Sequence, residues 1–464
     1  MATGPARLRR VMGFRDLLLF YLVTGFTVRW IGGAAAAGPS SIMIWGIACL
    51  GFYIPLMFTV LELSSRYPEE GGCYVWSKRA FGDFAGFITG WTYWTCNLPY
   101  FPGLFYFTAA AALFLGGPEW RQLAQDPRYF IGFSLLALAV ASGLNIRGLA
   151  VSRWLHNAGA IGIWIPGLLL LLLGILAWHR FGSATPFTVE ALRPSTRLKD
   201  IVFWSTIAFS LSGLEGASML GEEIRDARRS IPRALLIAGV LITMLYILGT
   251  IAMLVALPPG EIASLDGFMK AVERVSERLH LAGVTPVIAG LLVIGGLGQA
   301  GAWFAAGGRL PFVAGLDRYL PAAFGQLHPR YGSPHVSLIS QAGVAALFIL
   351  LGQAGTTVKG AYDVLVSMSI ISYFIPYLFM FAALIRLQRQ PAGPGVMRVP
   401  GGRPAALALG GIGLGTTAGS IGLALVPAAD EANKLLAVSK VAGLTLLLLV
   451  VGSVVYLAGK KRAT

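Results

Sequence analysis

Thr24-Gly25-Phe26-Thr27-Val28-Arg29 and Ser210-Leu211-Ser212-Gly213-Leu214-Glu215 decide how this chain is read. Each stretch interrupts an apolar segment at mid-length, the first in residues 14–37 and the second in residues 201–220. Each interruption carries a charged side chain, Arg29 or Glu215. In a bilayer every backbone N–H and C=O must be satisfied within the protein, so broken helix survives only where it lines a cavity or meets a solute. Paired breaks at corresponding places in two halves of a chain point to a solute site near the bilayer midplane.

The composition supports a membrane setting. Of 464 residues, 56% are hydrophobic and only 12% charged. About twelve runs have the length and apolarity of transmembrane helices: 14–37, 42–63, 84–115, 129–144, 155–178, 201–220, 234–257, 284–306, 336–351, 364–385, 405–425 and 437–457. The connections are short, so residues 1–464 read as one polytopic domain embedded in lipid. The runs are too long for barrel strands. An even number of spans puts both termini on one side, and about 23 Lys and Arg fall on that side against about 12 on the other, which places the termini in the cytoplasm of a cell whose plasma membrane holds the chain. This assignment absorbs the net charge of +15, so nucleic acid is not expected as a partner. Arg386, Arg389, Arg398 and Arg403 share one inner loop, with Lys460, Lys461 and Arg462 at the end of the chain. Cys49, Cys73 and Cys96 form no C-x-x-C pattern, so neither a disulfide framework nor a zinc site follows, and no cofactor or metal is expected.

The two broken spans stand about 185 residues apart and each begins a set of five spans. An odd number of spans per unit forces the second unit to be inverted. The expected organisation is an all-α membrane protein with twelve transmembrane helices and a five-plus-five inverted repeat. Its first unit is 14–178, its second 201–385, and two additional helices occupy 405–457. Residues 66–81 read as a glycine-rich charged loop on the inner side. Residues 261–281 read as an amphipathic helix on the outer surface, with Phe268, Met269, Val272 and Val275 along its apolar face. Residues 180–200 read as an irregular outer loop and 388–403 as an inner linker.

Four blocks carry a resemblance. Glu62-Leu63-Ser64-Ser65-Arg66-Tyr67-Pro68-Glu69-Glu70-Gly71-Gly72-Cys73-Tyr74-Val75-Trp76 is the longest, followed by Gly86 to Trp91. Asn145-Ile146-Arg147-Gly148 is the next. Ser212-Gly213-Leu214-Glu215 continues into Gly221-Glu222-Glu223-Ile224 and Arg228-Arg229-Ser230-Ile231-Pro232-Arg233-Ala234. Gly315-Leu316-Asp317-Arg318-Tyr319-Leu320-Pro321 is the last. In this order the blocks resemble the signature of the amino acid/polyamine/organocation transporter family. The resemblance implies the LeuT-like inverted-repeat fold, alternating access, and an amino acid or related small organic solute as substrate.

A helix interruption exposes free N–H groups on one side and free carbonyls on the other. An amino acid's carboxylate suits the first and its ammonium the second. Carried over from the resemblance, Gly25, Phe26, Thr27 and Val28 face the carboxylate, and Phe209, Ser210, Ser212 and Gly213 take part in holding the ammonium. For any one of these small residues alone, close helix packing is the competing reading. Tyr93 and Asn97 lie one helical turn apart on the third span. Ser369, Tyr373 and Tyr377 form a stripe on the tenth. Trp303 precedes Pro321 by the spacing of a substrate-stacking tryptophan in the similar arginine/agmatine antiporter. Each aromatic alone is more often packing than ligand contact.

Arg29 departs from the pattern, because many family members carry Gly-Ser-Gly-Ile-Phe at this break. Either it binds a substrate carboxylate, or it pairs with Glu215 or stands beside Trp30; pairing is the reading slightly favoured by sequence. A fixed positive charge here argues against polyamines. Glu215 matches a family glutamate concerned with gating and acid response, so protons are the candidate coupling ion, with a permanently paired structural carboxylate as the alternative. No lysine lies in 158–164, where Ile163 takes the place of a proton-linked lysine. No Ser or Thr lies in 296–309, where sodium-coupled relatives of the fold use hydroxyls. Glu62, Arg66, Glu69, Glu70, Glu222, Glu223, Arg225 and Arg309 fall near the inner mouth. Among them Arg66 and Glu223 are the strongest candidates for gate ion pairs. The expected function is secondary active transport, by proton symport or exchange. A substrate sensor on the same fold and a polyamine permease are the alternatives. An enzyme is not expected, since the chain lacks H-E-x-x-H, a nucleophile elbow and paired Asp motifs, and its five histidines are scattered.

Overall fold

The computed structural model describes residues 10–194, 203–262, 265–281, 283–317, 319–352, 358–426 and 434–463. Arg7, Arg9, Arg318 and the segment 195–202, where the second broken span begins, lie outside the described residues.

The first apolar segment folds as two helices, α1 (Phe14–Gly25) and α2 (Val28–Ala36). Phe26 and Thr27 between them are extended, with φ/ψ of −128°/136° and −151°/133°. The second segment is α3 (Ser40–Ala48) and α4 (Ile54–Arg66), joined by a π-helical turn at Cys49–Tyr53 that the sequence reading did not anticipate. The wider turn leaves the Gly51 carbonyl available, and the Thr416 hydroxyl donates to it at 2.8 Å. Half of the expected loop 66–81 is helical, as α5 (Cys73–Phe81). Gly72, with φ +43°, precedes it.

Next come α6 (Asp83–Ala112), α7 (Pro127–Ile146), α8 (Leu149–Phe181) and the short α9 (Val189–Leu192). Asp126 starts α7 by accepting the Arg128 N–H at 2.9 Å, with Pro127 at the first helical position. Pro99 and Pro102 inside α6 remove two donors, which frees the carbonyls of Thr95 and Leu98 near mid-helix.

The second broken segment contains α10 (Phe203–Ser210), a non-helical stretch at 211–215, and a 3₁₀ helix at Gly216–Glu223. The half that follows the break is thus 3₁₀ and not α-helical. Gly216, Ser218 and Gly221 are poor helix formers, and Leu220 departs from helical geometry at φ −106°, ψ 23°.

The remaining helices are α11 (Ala227–Ala256), α12 (Gly267–Arg278), α13 (Val284–Leu316), α14 (His335–Gly352), α15 (Val358–Leu387), α16 (Gly402–Ala424) and α17 (Lys434–Ala463). The apolar face of α12 is buried against the bundle through Phe268, Met269, Val272 and Val275.

Among the described residues there is no strand, only a single bridge between Met12 and Ile224. Nine helical segments among them are long and apolar enough to cross a bilayer. The other three expected spans correspond to the proline-containing α6, the broken α10 segment, and α14, whose apolar part is shorter.

Glycines let α8 and α13 touch. A Cβ added at Gly159 would stand 2.4 Å from the Gly298 Cα, and one at Gly162 would stand 2.6 Å from the Leu291 carbonyl oxygen. Small residues at this spacing allow close backbone approach where lipid supplies no hydrophobic drive. The contact fixes α13 against the core, and α13 carries Gln299, Trp303 and Arg309.

Candidate site between the two helix breaks

Gly213 brings the two interruptions into contact. Its φ is +101°, a region open to glycine, and a Cβ there would stand 3.0 Å from the Thr24 carbonyl oxygen and 3.2 Å from the Trp303 ring. Beside this contact lies a narrow cavity of about 20 Å³, room for about one water molecule. Of the residues singled out in the sequence, Gly25, Thr27, Asn97, Phe209, Ser210, Ser212, Trp303 and Tyr373 line it. Phe26, Val28, Arg29, Tyr93, Gly213 and Glu215 do not. Phe26 turns into the core between Trp164 and Tyr246, at ring distances of 5.3 and 4.9 Å. The Ser210 hydroxyl donates back to the Ile207 carbonyl at 2.6 Å, and Ser212 likewise bonds Phe209, so both terminate α10.

Two side chains hold the first break open. The Tyr246 hydroxyl accepts the Thr27 N–H at 3.2 Å and donates to the Gly25 carbonyl at 3.3 Å. Gln299 Nε2 donates to the carbonyls of Val23 at 2.8 Å and Phe26 at 3.1 Å. The second break has a parallel arrangement, since the Tyr377 hydroxyl accepts the Gly213 N–H at 3.2 Å. Backbone groups that a continuous helix would pair internally are thereby satisfied without closing the helix.

Sequence reasoning missed Tyr246 and Gln299, as well as Tyr100 and Thr24 in the cavity wall. Two of them left a legible trace. Gln299 is an amide in mid-span, one helical turn before Trp303. Tyr100 continues the face already marked by Tyr93 and Asn97.

Glu215 is fully buried. Its Oε1 accepts the hydroxyls of Tyr93 at 2.6 Å and Tyr373 at 2.7 Å, while Oε2 has no hydrogen-bond partner. No cation pairs with it among the described residues, so pairing with Arg29, the reading favoured from sequence, is corrected. The two phenols capture the carboxyl instead.

Arg29 is 2% exposed, and its Nε and Nη1 are buried without an acceptor. Its guanidinium lies over Trp30 at 4.1 Å and Tyr100 at 5.0 Å, both cavity residues. Burying arginine at this depth costs about 2.5–3.5 kcal/mol on insertion scales. Desolvated cation–π contacts offset about 2 kcal/mol of it.

The aromatic wall is continuous. The Trp303 ring stands 5.8 Å from Tyr373 and 6.1 Å from Tyr100, and Phe209 meets both Trp30 and Tyr373 edge-on at 5.4 Å. A larger space of about 430 Å³ lies elsewhere, lined by Phe114, Arg121, Phe130 and Lys270 among others. It touches neither break.

A sequence model of the amino acid permease family matches residues 16–451. The chain belongs to this family. An uncharacterized transporter of Legionella pneumophila is 29% identical over 413 residues, 88% of this chain and 87% of the relative. The "Probable agmatine/putrescine antiporter" AguD of Lactococcus lactis is 23% identical over 389 residues, 83% of this chain and 81% of its own length. The glutamate/serine transporter AimA of Bacillus subtilis is 25% identical over 365 residues, covering 74% and 66%. The permease is thus a multi-pass membrane protein of a transporter family.

One end of the bundle holds a buried charged cluster together with both described ends of the chain. Val11 and Met12 donate to the Glu223 carbonyl, and the Tyr319 ring packs tilted against Tyr456 of α17 at 4.9 Å. Arg309 makes a bidentate bond to Glu223, with contacts at 2.7–2.9 Å, and donates to the Ala305 carbonyl at 3.0 Å. Glu70 approaches the same guanidinium at 3.8 Å, and its other oxygen accepts the Glu222 N–H at 3.0 Å. Burial and the neighbouring Glu223 charge hold the Glu70 carboxyl well above the usual carboxylate range.

The two gate candidates read from sequence do not meet. Arg66 bonds Glu62 at 2.8 Å and the carbonyls of Leu387 and Gln390, and Glu62 accepts the Gln388 side chain and the Val399 N–H. Arg66 therefore ties α4 to the linker after α15, and Glu223 alone of the two belongs to a cluster joining the second broken segment to α13.

Proposed function

We propose that this permease carries amino acids across the plasma membrane by alternating access, with the cavity between the two breaks as its substrate site. The observation that carries the reading is the arrangement at Gly213, where two interrupted segments touch beside an aromatic cavity. The α-carboxylate goes to the N-terminal turn of α2, and the ammonium to carbonyls at the opposing break. Trp303 and Phe209 bound the side-chain space. The five-plus-five inverted repeat supplies the rocking element, and the cluster of Arg309, Glu223 and Glu70 closes the end that faces the cytoplasm.

Coupling is assigned to Glu215, a buried carboxyl without a cation, which carries a proton or relays substrate exchange through Tyr93 and Tyr373. Relatives named for agmatine/putrescine and for glutamate/serine support a small amino-group-bearing solute and leave its charge open.

The test is counterflow in proteoliposomes loaded with unlabelled amino acids, using a radiolabelled panel outside, with and without a proton gradient. Saturable exchange supports transport. Binding without exchange indicates a sensor, and uptake that neither saturates nor exchanges indicates a channel.

A further inference from the structure

We propose that the permease selects an anionic amino acid, and that the Arg29 guanidinium receives the substrate's second carboxylate. The inference rests on the central cavity being the substrate site. A buried guanidinium ordinarily has a carboxylate or several carbonyl acceptors around it, because an unpaired charge out of water is costly. Arg29 has neither at Nε and Nη1, although it is 2% exposed. The buried acid of the opposing break, Glu215, is committed to Tyr93 and Tyr373. Among the described residues, the cation is held by the faces of Trp30 and Tyr100.

These two rings also line the cavity, so the unsatisfied donors stand directly behind its wall. An aromatic face holds a guanidinium in place without using its in-plane N–H groups, which stay available for a planar, bidentate acceptor. A carboxylate is that acceptor. The same end of the cavity has the N-terminal turn of α2, whose partial positive charge favours the α-carboxylate. Two anionic groups of one substrate therefore find positive charge at one end. A diamine or a cationic side chain would bring a second positive charge toward a guanidinium that cannot release its proton.

The experiment uses wild-type permease, Arg29→Gln and Arg29→Lys. Counterflow is measured with labelled glutamate, aspartate, glutamine, asparagine, leucine, arginine and putrescine. Ligand-dependent thermal shifts are recorded on the same detergent-purified proteins. Wild type is expected to prefer a dicarboxylic amino acid over its amide by about tenfold or more, because the amide leaves the guanidinium unpaired. In Arg29→Gln the ratio of dicarboxylate to amide exchange should fall to about one, and Arg29→Lys should keep part of the preference. Wild-type exchange of neutral or cationic amino acids that glutamate and aspartate do not inhibit overturns the inference and leaves the transport reading standing. An equal loss for every substrate in Arg29→Gln also overturns it, since that is a structural effect. Dicarboxylate-specific thermal shifts in wild type that vanish in Arg29→Gln, without exchange of any solute, support the Arg29 assignment and refute transport.

Discussion

Arg309→Met tests how the charged end of the bundle is held together. The substitution keeps an unbranched side chain of similar reach and removes the only cation facing Glu223 and Glu70 among the described residues. It deletes a bidentate ion pair at 2.7–2.9 Å and the bond to the Ala305 carbonyl, leaving two buried carboxyls behind. Breaking a buried pair from one side costs about 3–5 kcal/mol. At about 2 °C per kcal/mol for a large chain, melting should fall by about 5–10 °C. The assay is thermal unfolding of purified protein followed by size-exclusion chromatography. Glu223→Gln combined with Arg309→Met should recover part of the loss, because removing both charges leaves none stranded, and the cycle should show coupling of about 2 kcal/mol or more. A melting temperature for Arg309→Met within about 1 °C of wild type refutes the reasoning, since no buried pair of this geometry is that weak.

Other expectations follow from the same geometry. Glu70→Gln should be mild near neutral pH. The folded state binds the Glu70 proton more tightly than the unfolded chain, whose value is near 4.5, so this contribution is present below that pH and is lost as pH rises through the raised folded value. Glu70→Gln should therefore flatten part of the fall of stability with rising pH, and an unchanged slope contradicts the assignment. Tyr246→Phe removes the hydroxyl bridging Gly25 and Thr27 and should cost about 1–3 kcal/mol, read as a lower melting temperature; an unchanged value shows that the first break needs no bridge. Gly213→Ala meets a positive φ and the Thr24 carbonyl, so strain of about 1–3 kcal/mol should disfavour this closed arrangement and slow counterflow. Glu215→Gln should abolish the pH dependence of exchange while preserving substrate binding, whereas an unaltered pH profile moves coupling elsewhere.

The helical architecture was legible because bilayer crossing demands long apolar runs, and the breaks because glycine and serine stand out inside them. Helix boundaries shifted where packing extends a helix beyond its apolar part, as α13 continues to Leu316 past the expected end at 306. The π-helical turn at Cys49–Tyr53 was not readable, since it depends on Thr416, distant in sequence, for its carbonyl partner. The same limit governed the site. Arg29 and Glu215 share a region and opposite signs, which suggested a pair, but Tyr93 and Tyr373 reach Glu215 and aromatic faces reach Arg29. Tyr246 and Gln299 act on backbone groups more than 200 residues away, and local spacing carries no record of that.

A ligand-bound structure of the permease, determined with whichever amino acid exchanges best, tests the central claim most directly. The account predicts ligand density bounded by the Gly25–Thr27 backbone, the Phe209–Gly213 backbone and the Trp303 ring. Density instead in the larger space beside Phe114, Phe130 and Lys270, with the cavity between the breaks empty, would contradict it.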